Sequence, residues 1–247
     1  MMNENAKMRP RRVSRRQALA AMAASAIFSQ DAAAGFARQT RVTGTLLVRG
    51  DADLSSRDMA WRVVQDVAET GAEAGFERRA LGFAVNSSIF TDLLLTDEAT
   101  GSAYRLAPDE AAFVTDTTMQ RRESLGAAPE AYLRIGLVPA EFVDDDGGDR
   151  MVYAGPAFAA PEGSITLTLE RLDLHEGDRA FAGTGLGQAL ILVLQGEIEI
   201  EEGEAGPRTR LQTVVGSGTW YVAHATPWGT SITALRDATY VLVASMQ

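Results

Sequence analysis

His175 and His224 are the chain's only side chains whose ordinary pKa lies near neutrality, and there is no cysteine. Disulfides, thiolate nucleophiles and zinc–sulfur sites are thereby excluded. His224 has Trp220, Tyr221 and Trp228 close by in sequence. Imidazole and aromatic rings together suit a sugar, an organic acid or an aromatic ring held by stacking and hydrogen bonds. His224 is also the one attractive acid or base for proton transfer. His175, in "LDLHEGD", reads instead as the end of an exposed strand.

Other polar groupings have simpler readings. Glu197, Glu199 and Glu201 alternate with Ile198 and Ile200, which puts the three carboxylates on one strand face, with Glu202 following. A solvated outer face that also blunts edge pairing accounts for them, an acid–base dyad being the alternative. The run "DDDGGD" (Asp144 to Asp149) lacks the spaced ligands of a calcium loop and reads as an acidic turn. Arg121 and Arg122, in "MQRRES", could clamp an anion, but on an acidic surface such pairs form salt bridges. "GTGLGQ", Gly183 to Gln188, is no dinucleotide loop, because it precedes an apolar strand where a phosphate loop must follow one and open a helix.

The elements that must position these residues are strands. From Thr40 onward short apolar and β-branched runs with period two are separated by turn residues: "VTGTLLVRG", "TDLLLTD", "AYLRIGLVP", "ITLTLERLDL", "ALILVLQGEIEIEE", "ATYVLVASM". "LSSRDMAWRVVQDVAE" fits a strand and a helix about equally. The same order of strand, gap, strand, turn, strand and closing strand recurs in the two halves, with an acidic stretch rich in Gly, Pro and Ala between them. The reading is all-β, two β-barrels in tandem: residues 40–141, a linker at 142–157, and residues 158–247.

The second half resembles the cupin family of small double-stranded β-helix (jelly-roll) barrels. That family's first motif is glycine, five residues, His-x-His, three or four residues, Glu, six residues, glycine. Here the spacing is kept by Gly177, Gly183-Thr184-Gly185, Ala189 and Gly196. The second motif is matched by Gly218, then His224 at a proline position, then Gly229 at the third histidine position with Trp228 beside it. The resemblance therefore implies that the metal-ligand positions are Gly183, Gly185, Ala189 and Gly229, none with a donor atom, whereas a divalent metal asks for about three or four. It implies a barrel without a metal or other cofactor, and it puts His224 near the barrel mouth beside Trp220, Tyr221 and Trp228.

The N-terminus reads as an address. "RPRRVSRRQALAAMAASAIFSQDAAAGFA" has a basic region, a mild apolar stretch and an Ala-rich end, and its Arg15–Arg16 pair resembles the twin-arginine export signal, covering residues 1–34 with cleavage after Ala34 or Ala37. Export to the periplasm or medium follows as an expectation. The chain's net charge of −10 conceals a basic leader, for residues 35–247 hold 17 basic and 31 acidic side chains, a net −14. Such a body repels nucleic acid, and no apolar stretch reaches the roughly 20 residues of a membrane helix. The expected function is an exported, metal-free two-barrel protein that binds a small molecule or serves as a scaffold, possible homodimer included. The alternative is a metal-independent isomerase, epimerase or lyase with His224 as acid or base.

Overall fold

The structure, a computed structural model, describes residues 42–247 apart from 72–74, 79, 89, 118, 146–149, 183–187, 203–205, 214–221 and 228. The leader at 1–34, Trp220, Tyr221, Trp228, Gly183 and Gly185 lie outside the described residues. The chain is all-β, and among the described residues there is no α-helix.

Strands of the first half are β1 (Thr45–Leu54), β2 (Asp58–Thr70), β3 (Phe76–Arg78), β4 (Leu81–Val85), β5 (Leu93–Asp97), β6 (Ala103–Leu106), β7 (Ala111–Val114), β8 (Met119–Ser124) and β9 (Glu130–Pro139). Next come β10 (Arg150–Ala154) and β11 (Phe158–Ala159). The second half holds β12 (Gly163–Leu174), β13 (Arg179–Ala182), β14 (Gln188–Gln195), β15 (Glu197–Glu201), β16 (Arg208–Gln212), β17 (Val222–Pro227), β18 (Thr230–Ala234) and β19 (Thr239–Met246).

These strands form two jelly-roll units. A ten-stranded sheet ordered β6-β5-β8-β2-β9-β4-β7, with β3, β10 and β11 paired at its margins, makes the first. It doubles over, because β2 is antiparallel to β9 along ten residue pairs and touches β8 only at Glu69↔Glu123 and Thr70↔Ser124. A five-stranded sheet, β1-β12-β19-β14-β17, faces a four-stranded one, β13-β18-β15-β16, to make the second.

Three apolar layers hold the sheets together. Leu93, Leu95, Leu106, Val114 and Ala84 fill the first unit. Ile191, Val193, Ile198, Ile200, Ile232 and Val241 fill the second. The largest layer lies between units, where Trp61, Phe83, Leu133 and Ile135 of the first meet Leu167, Leu190, Leu192 and Leu242 of the second. Alternation along each strand explains this: Ala189, Ile191 and Val193 point one way from β14 while Leu190 and Leu192 point the other. Trp61 fixes the contact, its indole Nε1 donating to the Gln188 carbonyl at 2.9 Å.

Strands also cross between the halves. β1, early in the chain, pairs antiparallel with β12 from Thr45↔Arg171 to Leu54↔Gly163. β10 pairs with β2 of the first sheet. The segment that fits strand and helix equally is β2, whose run Met59-Ala60-Trp61 is buried without a break because β2 is covered on both faces.

Candidate functional site

β17 carries His224 and lies antiparallel to β14, with Ile191 opposite His224 and Ala189 opposite Thr226. Ala225 faces the layer between units, so His224 and Thr226 point into the second barrel. Tyr153 on β10 pins the strand from below, its hydroxyl accepting the Ala225 N–H at 2.8 Å. Burial pushes the Tyr153 pKa up, and the backbone hydrogen bond partly opposes that.

Polar groups gather at this end of the barrel. His224 Nε2 stands 3.8 Å from Glu202 Oε1, both side chains about one-third exposed. The Thr226 hydroxyl donates to the same Glu202 oxygen at 3.5 Å and lies 2.6 Å from the Thr230 hydroxyl. Thr168 and Ser245, whose hydroxyls are 2.8 Å apart, are buried on the inner face of the same sheet. Glu170 shares their face, at the end of the cross-strand row Glu170–Val243–Ile191–His224. Its carboxyl is pushed above the ordinary carboxylate range by burial. Toward the other end the lining is Leu172, Leu174, Val193, Val241 and Ile198. The second barrel is thus apolar at one end and polar at the other, where His224 opens toward solvent.

A metal does not fit the described residues. Ala189, on the inner face of β14, is buried and brings no donor atom. His224 and Glu202 supply two donors against the three or four a divalent ion needs, and among the described residues no three His, Asp or Glu side chains converge. Gly229, which the motif spacing puts at the third ligand, sits exposed in the β17–β18 turn at φ +84°, a conformation that favours glycine. Of the described side chains on β17, His224 and Thr226 enter the barrel.

The other sequence candidates separate cleanly. His175 is exposed in the turn after β12, 3.6 Å from Asp237. Glu197, Glu199 and Glu201 face outward among arginines: Arg236 lies 3.0 Å from Glu197, and Arg208 lies 3.4 and 3.3 Å from Glu199 and Glu201. Asp144 and Asp145 are exposed, and the remainder of that acidic run lies outside the described residues. Arg121 and Arg122 point to opposite sides of β8. Arg121 stacks over Phe76 at 5.3 Å, whereas Arg122 turns inward over Tyr132 at 5.6 Å. Sequence reasoning missed Glu170, and it named Glu202 after the outward carboxylates without giving it a side of the strand. Both share strand parity with inward leucines or isoleucines (Leu172, Ile200), and that was the available signal.

No family model and no curated protein matches the chain. Among solved structures it is similar to the salicylate 1,2-dioxygenase of Pseudaminobacter salicylatoxidans, at 11% identity over 82% of this chain and 75% of that one, TM-score 0.39. A mutant of that enzyme in complex with gentisate aligns at 12% identity, 80% and 68% coverage and TM-score 0.39. Mannose 6-phosphate isomerase of Bacillus subtilis aligns at 10% identity, 81% and 75% coverage and TM-score 0.34. At these values the likenesses carry no argument about this chain's chemistry.

Proposed function

We propose that this is an exported, metal-independent, cupin-like binding protein that holds a small organic molecule at the polar mouth of its second barrel. The observation that supports it is the confinement of His224, Glu202, Thr226 and Thr230 to one end of an otherwise apolar interior. A purely structural barrel has no need of a half-exposed imidazole there, and buried hydroxyls and carboxylates cost stability unless they are satisfied. Trp220, Tyr221 and Trp228, adjacent in sequence, supply stacking faces for a sugar, an organic acid or an aromatic ring. The leader at residues 1–34 takes the protein through the twin-arginine route.

The His224–Glu202 pair favours a second reading, acid–base catalysis of an isomerisation, epimerisation or elimination. A carboxylate oxygen 3.8 Å from the imidazole Nε2 orients the ring for proton transfer. A thermal-shift screen against sugars, organic acids and aromatic compounds tests both. The expected result is stabilisation by one class, lost in His224→Ala and weakened in Glu202→Gln. Stabilisation that survives His224→Ala, or none at all, removes the mouth as a site. For any ligand that binds, exchange of a C–H hydrogen into deuterated solvent separates catalysis from binding alone.

A further inference from the structure

The five-stranded sheet ends on β1, which among the described residues pairs with β12 and with no other strand. Thr166 and Gln247 exchange both backbone hydrogen bonds, at 2.9 and 2.8 Å, so Thr166 turns its N–H and C=O toward β19. Its neighbours Ile165 and Leu167 therefore turn theirs toward β1, where they meet Ala52 and Gly50. The same alternation leaves the N–H and C=O of Arg49, Asp51 and Asp53 on the outer edge of β1. No described residue hydrogen-bonds to them there.

The side chains of these three residues are exposed on one face of the strand and carry both signs of charge. Arg49 Nη2 donates to the Thr166 hydroxyl at 3.4 Å, and that hydroxyl donates to Asp51 Oδ1 at 2.6 Å. Among the described residues none of the three has an ion-pair partner. That sets Arg49 apart from Arg171, Arg179, Arg208, Arg210 and Arg236 of the second half, each of which has a carboxylate beside it. On the opposite face, Gly50 lies against the Phe113 ring with no room for a Cβ. The strand is thus held from behind, and its edge is presented in a fixed position.

We propose that β1 pairs edge to edge with β1 of a second copy of this chain, forming a two-fold dimer. Antiparallel pairing about Gly50 sets Arg49 opposite Asp51 of the second copy, and Asp51 opposite its Arg49. Both positions turn their backbone groups outward, so each pair can exchange hydrogen bonds. Opposite charges then face each other twice, at a cross-strand spacing of about 4.5–5.5 Å. Moving the two-fold axis to Arg49 would set the two Arg49 side chains against each other, and moving it to Asp51 would do the same with Asp51. The charges therefore select the register about Gly50. Charged residues on an edge strand commonly block pairing with foreign strands, but the signs here are complementary to a second copy of themselves, as an isologous interface requires. The dimer is independent of what the His224 mouth binds.

Sedimentation velocity on the full chain, from micromolar to millimolar protein, tests the proposal. A concentration-dependent dimer is expected, weakened by added salt. Arg49→Asp and Asp51→Arg each oppose like charges twice, and each should raise the dimer Kd roughly tenfold or more. An equimolar mixture of the two variants should recover association, because each supplies the charge that the other lacks. Both positions are exposed, and circular dichroism confirms that the variants keep the fold. Hydrogen exchange should show the amides of Asp51 and Asp53 slowed in the dimer and fast in either variant alone. A chain that stays monomeric at every concentration leaves this edge to another partner or to none, and overturns the proposal. A dimer that either variant leaves at wild-type Kd, or that mixing the variants does not restore, overturns it equally.

Discussion

Replacing Trp61 with alanine tests whether the two jelly rolls share one core. Trp61 is fully buried on β2, packed in the layer between the units, and its indole N–H reaches the Gln188 carbonyl 127 residues away. Removing a buried large aromatic costs about 3–5 kcal/mol. Leaving the Gln188 carbonyl without its donor adds about 1 kcal/mol. A total of roughly 4–6 kcal/mol is a large part of the 5–15 kcal/mol that holds a typical domain. For a unit of this size it lowers the melting temperature by roughly 8–24 °C. Urea unfolding followed by two probes gives the decisive measurement. Circular dichroism reports all the strands, whereas the remaining tryptophans, Trp220 and Trp228, both report from the second half. If the interlayer core and the β1–β12 crossover couple the units, both transitions move together to lower urea. A fluorescence midpoint that stays in place while the dichroism signal splits into two steps would refute the shared core. A total loss below about 1 kcal/mol would refute the packing of Trp61 itself.

Two further perturbations probe the interiors. Gly82, on β4 at φ +147°, approaches β9 so closely that an added Cβ would lie 2.0 Å from the Ile135 carbonyl oxygen. Gly82→Ala should therefore cost about 3 kcal/mol or more in urea stability, combining backbone strain with a clash; a loss below about 0.5 kcal/mol would contradict that approach. Glu170 should show itself through pH. Because burial raises its pKa, the folded state keeps the proton to higher pH than the unfolded chain does. The associated stability is full below the unfolded value of about 4.3 and is lost as pH rises through the folded one. The stability of Glu170→Gln relative to wild type should thus climb with pH from about 4 and then level off, and a flat difference would place Glu170 in solvent.

Period-two patterning made the all-β architecture legible, since each run with alternating polarity became a strand and Ile198 and Ile200 face inward as their spacing requires. What periodicity does not encode is the partner. Nothing local in "TLLVRGDADL" says that it pairs with "GSITLTLERLDL" more than a hundred residues on. β2 was ambiguous for a related reason: a strand covered on both faces loses the alternation that identifies strands.

The site was least legible where motif spacing was followed instead of parity. Motif spacing led to Gly229, a turn residue, whereas parity leads to polar side chains at inward positions. Glu170 sits in step with Leu172 and Leu174, and Glu202 with Ile198 and Ile200. On β2, Arg62 and Asp66 sit in step with the buried Ala68, which lines the first barrel. A charged residue at an inward position costs stability unless a partner or a ligand offsets it, so a sequence that keeps several of them marks an interior to test for binding. Applied to this chain, that rule selects both barrel interiors from strand parity alone. The second holds carboxylates and an imidazole, the first arginines together with Asp66, which is paired with Arg134.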